Sequence, residues 1–277
     1  MIELGPFRLD MLDDGRFELT GDAFQRLGGH VHRGRIAPRV KIGFNSLLIR
    51  GRGRTILVDP GTGDKRLGTA YERYQLEQPR KVFGELVELG VQRADVDLVI
   101  LTHLHWDHAG AATGLNAAGS PVPSFPNARY VLQARELRAA RAALAEGDDG
   151  YIAADFEPLI DAGVLDLLDT DADVAPGISV RWVGGHCPGL QVVYIDGGEA
   201  GRAVYLSDLV PTGAQLALPN VFSFDLDHAQ LMESKRRVLA EALDRRDLLL
   251  FVHAPRNRAG RLTQDARGKL LLAPVST

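Results

Sequence analysis

The segment His103-Leu-His105-Trp-Asp107-His108 places three of the chain's eight histidines and one carboxylate within six positions. Imidazole and carboxylate are good ligands for Zn2+ and other first-row divalent ions, so the segment reads as part of a metal site rather than as a polar loop. If the backbone stays extended, His103 and His105 face the same way. A turn through Trp106 then swings Asp107 and His108 toward a neighbouring position. Three later residues extend the set: His186 in GGHCPG, Asp208 in YLSDL and His253 in FVHAP. Each alone has an ordinary explanation as a turn residue, a helix cap or a buried histidine. Together they bring the set to five histidines and two aspartates, enough for two metal ions.

The elements that must position these side chains show in the hydrophobic pattern. Short runs rich in Val, Ile and Leu end at polar or glycine-containing turns, which is how buried strands read. In the first half they are NSLLIR (45–50), TILVDPG (55–61), DLVILTH (97–103) and ARYVLQ (128–133). In the second half they are ISVRWVGG (178–185), QVVYIDGG (191–198), RAVYLSD (202–208) and DLLLFVHA (247–254). Helical patterns cover 81–90, 134–147 and about 228–243, the last with Asp227 as its expected N-cap. His103, His186, Asp208 and His253 each stand where an apolar run stops. In α/β proteins ligands gather at such strand ends, because the strand is rigid and the loop beyond it faces solvent.

Composition narrows the classes. With 45% hydrophobic and 25% charged residues, a sizeable core is expected, and no linker or low-complexity tract divides residues 1–277, so one α/β domain of mixed sheets covered by helices is expected. The net charge of −4 carries no basic imbalance of the nucleic-acid-binding kind, and the local basic run HRGRIAPRVK (32–41) reads as a solvated loop or strand edge. No run approaches the ~20 apolar residues of a membrane span. No signal-peptide pattern opens the chain, and Cys187 is the sole cysteine. A cytoplasmic protein acting on a small molecule, with neither nucleic acid nor membrane as partner, is the expectation; oligomeric state is left open.

The ordered motifs HLHWDH (103–108), GGHCPG (184–189), SDL (207–209) and FVH (251–253), with VDPGTG (58–63) before them, resemble the metallo-β-lactamase superfamily. The resemblance implies an αββα sandwich with two metals in a cleft at one edge of the sheets. It further implies His103, His105 and His186 on one ion, Asp107, His108 and His253 on the other, Asp208 bridging both, and Asp59 orienting the ligands. Zinc is the first expectation for both ions, although such a donor set also accepts Mn2+, Fe2+ or Co2+. The family often carries threonine where Cys187 stands; here the thiol is expected to pack away from the metals.

Two divalent ions sharing a water make hydroxide accessible at neutral pH and stabilise a developing oxyanion, so hydrolysis is the expected reaction, with Asp107 and Asp208 as catalytic carboxylates. The section before the first motif and SDLVPT (207–212) are similar to the lactonase and organophosphate-hydrolase-like branches. An ester or lactone carbonyl is therefore the expected target, with Trp106, Leu218, Phe222 and Phe224 as candidate walls of an apolar cleft. His30 and His32 could reach its mouth but read as loop residues. The alternatives are phosphotriester, phosphoester or thioester hydrolysis at the same site, and a persulfide-oxidising iron oxygenase. A glutathione-thioester hydrolase would need a basic helical extension, whereas only about 24 residues follow His253. The diiron redox relatives usually have glutamate where His105 stands.

Overall fold

The computed structural model describes residues 1–20, 23–26, 39–63, 65, 76–77 and 81–277. Two seven-stranded sheets form the interior, and in each the strands lie side by side in chain order. The first contains β1 (Ile2–Leu4), β2 (Phe7–Thr20), β3 (Arg39–Gly51), β4 (Arg54–Val58), β5 (Leu98–Ile100), β6 (Arg129–Gln133) and β7 (Leu165–Leu168). The second contains β8 (Ala172–Ala175), β9 (Ile178–Trp182), β10 (Gln191–Asp196), β11 (Arg202–Tyr205), β12 (Leu248–Leu250), β13 (Ala259–Gln264) and β14 (Leu270–Val275). Both sheets are mixed. β1 to β4 pair antiparallel and β4 to β7 parallel, while in the second sheet only β11 and β12 pair parallel.

Parallel neighbours need a crossover, and these crossovers carry the helices. Helix α1 (Lys81–Glu88) leads from β4 to β5, and the short α2 (Trp106–Ala109) lies between β5 and β6. Helices α3 (Ala134–Ala145) and α4 (Glu157–Asp161) join β6 to β7, and α5 (His228–Arg245) returns from β11 to β12. The apolar runs lack alternation because the central strands are covered on both faces. Leu47, Ile49, Ile56, Val58 and Ile100 point between the sheets against Val193, Ala203, Tyr205 and Leu250. The intervening Leu48, Leu57 and Val99 meet α1 and α3 through Val82, Leu86 and Leu137. On the far side Val192, Val204 and Leu249 meet Leu231, Val238 and Leu239 of α5. These are the four layers of the αββα sandwich implied by the motifs.

The eight strands read from the apolar runs are all present. Asp227 caps α5 as expected, its side chain accepting the Gln230 amide at 2.9 Å. The long hairpin of β2 and β3 was not foreseen. A register shift between Asp13 and Gly15 bends it, and beyond the bend Phe17 and Leu19 of β2, with Ile42 and Phe44 of β3, pack onto Trp106 and Phe222. The far half of the hairpin therefore covers the ends of the metal-motif strands. Among the described residues no helix is long and apolar enough to cross a membrane. His30 and His32 lie outside the described residues.

Candidate metal centre

All seven ligand candidates converge at one end of the two sheets. His103 and His105 follow β5, and α2 begins directly after His105. This single turn carries Asp107 and His108 round to the same cleft. His186 comes from the loop after β9, Asp208 from the turn after β11 and His253 from the end of β12. Two glycines make these turns possible. A Cβ on Gly110 would lie 2.1 Å from the carbonyl oxygen of Thr62, so α2 can approach the 61–63 loop only with glycine there. Gly185 adopts φ +95° directly before His186, where a side chain would also meet Leu231 of α5 at 2.6 Å.

The polar atoms fall into two groups. His103, His105, His186 and Asp208 form one, and Asp107, His108 and His253 the other, with the donor atoms of each group within 4.8 Å of one another. Nδ1 of His105 lies 3.0 Å from Nε2 of His103 and 3.0 Å from Nε2 of His186. Asp208 stands between the groups. Its Oδ2 is 3.1 Å from Nε2 of His186 and its Oδ1 3.1 Å from Nε2 of His253. In the second group Oδ2 of Asp107 lies 3.6 Å from Nε2 of His108 and 3.5 Å from Nε2 of His253.

These distances fit metal ions. A tetrahedral ion with bonds of about 2.0–2.1 Å spaces its donors roughly 3.3 Å apart, in the middle of the observed range. One ring nitrogen cannot serve two other ring nitrogens at 3.0 Å through one proton, whereas three nitrogens can surround one cation. Nε2 of His108 and Oδ1 of Asp208 are buried without a hydrogen-bond partner, which costs free energy unless something else meets them. The nitrogen and oxygen donors suit zinc and its neighbours in the first transition row.

The far side of three of the rings is also held. Nδ1 of His108 meets Oδ2 of Asp59 at 2.9 Å, Nδ1 of His186 meets Oδ1 of Asp225 at 2.7 Å, and Nδ1 of His253 meets the Gly43 carbonyl at 2.8 Å. Such partners fix ring orientation and tautomer in metal sites. Asp59 also accepts the Thr102 amide and hydroxyl, and the Thr102 hydroxyl meets Nδ1 of His103 at 3.1 Å and Ser207 at 2.6 Å. Asp59 and Ser207 both have φ +46°, a left-handed backbone that non-glycine residues adopt chiefly where the surroundings demand it. Asp59 thus lies directly behind His108 and Thr102.

The charges are strongly coupled. Burial first, then the neighbouring histidines, push His103 and His105 well below the ordinary range, which keeps them neutral and able to bind a cation. Burial also opposes protonation of His108, but Asp107, Asp208 and Asp59 outweigh it and raise His108. Burial works against ionised Asp208, yet His253, His108 and His186 hold it well below the usual carboxylate range.

A cavity of about 540 Å³ opens beside the two groups. Trp106, Phe222 and Phe224 line it, together with Phe17, Leu19, Ile42, Tyr151 and Leu226. Leu218 is not among the lining residues; its carbonyl instead accepts from Lys235 at 3.3 Å. The hairpin walls Phe17, Leu19 and Ile42 escaped the sequence reading, since only the bend in β2 brings them here. Asp225 escaped it too, although VFSFDLD carries a signal. Phe222, Phe224 and Leu226 alternate toward the cavity, while Asp225 turns toward His186.

The family model for the metallo-beta-lactamase superfamily matches residues 44–253, which include all seven candidates. An N-acyl homoserine lactonase, AttM, from Azorhizobium caulinodans is 30% identical over 162 residues, 55% of this chain and 57% of the relative. The chain spans about half the length of the curated lactonases it matches. A probable metal-dependent hydrolase from Staphylococcus aureus superposes over the whole of both chains with a TM-score of 0.84 at 21% identity. AidC, a dizinc quorum-quenching lactonase in complex with a product, has a TM-score of 0.77 at 23% identity, covering 100% of this chain and 97% of its own. At these identities the two structures establish a shared fold.

Proposed function

Because the chain belongs to the metallo-beta-lactamase superfamily, we propose that it is a dinuclear metal-dependent hydrolase of esters, with lactones as its first substrate class. The observation that carries this reading is the position of Asp208, whose two oxygens each lie 3.1 Å from a histidine of a different group. In this reading His103, His105 and His186 hold one ion, Asp107, His108 and His253 hold the other, and Asp208 serves both. Two divalent ions, zinc before Mn2+, Fe2+ or Co2+, would supply the Lewis acidity that activates water at neutral pH and polarises the carbonyl. The dizinc neighbour supports zinc.

The protein's own contribution is positioning and proton transfer. Asp59 and Asp225 keep the outer nitrogens of His108 and His186 occupied, so that Nε2 of each ring faces the centre. Asp107 is the less buried of the two central carboxylates and lines the cavity, where it can take the proton that the attacking water releases and pass it to the leaving oxygen as the carbonyl–oxygen bond breaks. Trp106, Phe222 and Phe224 take the apolar part of the substrate. Glu146, Asp148 and Asp149 also line the cavity, which favours a neutral substrate over an anionic one. The relatives named as N-acyl homoserine lactonases make neutral N-acyl lactones the first compounds to try.

Elemental analysis of purified protein, run with a panel of lactones, phosphotriesters, thioesters and β-lactams, tests the reading. About two metals per chain with lactone turnover is the expected result. Turnover confined to phosphotriesters or thioesters would move the substrate class while keeping the centre. One iron per chain without hydrolysis would replace the reading with an oxygenase.

A further inference from the structure

Glu136 lies in the first turn of α3 and is completely buried, although no sequence motif marks it. Its carboxylate reaches two loops that arrive from different sheets. One oxygen accepts the amide of Leu104 at 3.1 Å, the residue between His103 and His105. The other accepts the amide of Gly189 at 2.9 Å, three residues beyond His186. The Tyr151 hydroxyl donates to the first oxygen at 3.3 Å, and the Tyr151 ring lies 4.7 Å from the ring of His105. The buried Cys187 thiol, next to His186, also lies beside this carboxylate. The approach leaves no slack: a Cβ on Gly189 would stand 2.2 Å from that of Glu136.

Gln191 ties the bases of the same loops, through its amide to the Thr102 carbonyl at 3.1 Å and its side chain to the Leu101 carbonyl at 2.8 Å. Nearer the ligands the bridge between the loops is Glu136. We propose that Glu136 is a positioning residue for the three-histidine half of the centre, holding the His103–His105 and His186 loops at the separation one metal ion requires; this rests on the metal centre proposed above. A carboxylate is the side chain such a clamp needs. Both oxygens accept, so two backbone N–H groups from opposite sides can be met at once. Glutamine fills the same volume with one acceptor, and its NH2 would face one of the two amides.

The test compares Glu136→Gln with the wild type by metal titration under chelator competition and by the visible spectrum of the cobalt-loaded protein. The expected result is a ~10–100-fold loss of affinity at one of two sites, the scale seen when partners behind metal ligands are removed. The cobalt spectrum should lose or shift one component while the other persists. A residue that merely supported the fold would lower stability and leave both affinities and the spectrum unchanged, and that outcome overturns the proposal. A wild type that binds no metal would instead sink the metal reading itself. Should Glu136→Gln fail to fold, amide exchange in the wild type decides. Protected amides at Leu104 and Gly189 in metal-free protein are expected from a clamp formed before the ion arrives, and rapid exchange at both would refute it.

Discussion

Asp225 joins His186 to the wall of the cavity. One of its oxygens stands 2.7 Å from Nδ1 of His186, and the other accepts the amide of Phe222, also at 2.7 Å. Phe222 stacks on Phe224 with ring centroids 4.7 Å apart, so one carboxylate orients a ligand and anchors two aromatic walls. Asp225→Ala is therefore expected to weaken metal binding by ~10–100-fold and to raise KM as well. Chelator competition and steady-state kinetics read the two effects separately. Unchanged metal affinity in the variant would show that His186 is oriented by something else.

Asp208→Ala removes the carboxylate that both donor groups share. In the proposed centre it should lower metal content below two per chain and cut kcat/KM by more than about 100-fold, beyond the usual effect of losing an outer hydrogen-bond partner. Elemental analysis and lactone turnover, measured on one preparation, check this. A fully active variant carrying two ions would refute the bridge.

The seven central residues were legible because each ends an apolar run or sits in one dense cluster, and strand ends are what such a fold gathers. The two sheets were legible for the same reason: β4 to β6 and β10 to β12 are short, β-branched or leucine-rich and largely buried, as are Leu47, Leu48 and Ile49 of the longer β3. What escaped depends on distant geometry. Phe17, Leu19 and Ile42 reach the cavity only because the Asp13–Gly15 irregularity bends the hairpin. Glu136 looks like any helix glutamate until α3 packs it between two loops. Leu218 looked like a wall residue because it is apolar and precedes Phe222, but its loop is turned by carbonyl bonds to a buried lysine.

That lysine gives a pH dependence. Lys235 donates to the carbonyls of Ala217, Leu218 and Asn220, and burial pushes it from 10.5 down to about 8, with Asp225 partly opposing the shift. Its folded value lies below its unfolded one, so between pH 8 and 10.5 the unfolded chain holds more protons. Stability carried by this group therefore increases as pH rises through that window. Lys235→Met should be less stable at every pH, because three carbonyls lose their donor. The test lies in the slope: the wild type should gain ~1–3 kcal/mol on the variant from pH 8 to 10.5. Parallel denaturation profiles would contradict the assignment.

Cys187 is buried with its thiol beside the Glu136 carboxylate. A threonine hydroxyl can donate to that carboxylate from a side chain of similar size. Cys187→Thr is therefore expected to keep metal content, cobalt spectrum and kcat/KM at wild-type levels. A changed spectrum would mean that the sulfur takes part in metal binding.

The acidic side of the cavity should select against anionic substrates. Glu146, Asp148 and Asp149 line it, and no lysine or arginine stands among its described lining residues. The charges of Asp107 and Asp208 would be met by bound ions, whereas these three stand outside the two donor groups. At about 8 Å in water each costs an incoming anion roughly 0.5 kcal/mol, so together they amount to about tenfold. For two esters of equal acyl length, one ending in methyl and one in carboxylate, kcat/KM should favour the neutral ester by about tenfold at low salt. Raising ionic strength to about 1 M, where screening acts over about 3 Å, should shrink the ratio. The combined Glu146→Gln, Asp148→Asn, Asp149→Asn variant should also bring it toward one, since each amide keeps the shape and removes the charge. A ratio unmoved by both salt and substitution would show that the selectivity arises from the fit of the apolar walls rather than from charge.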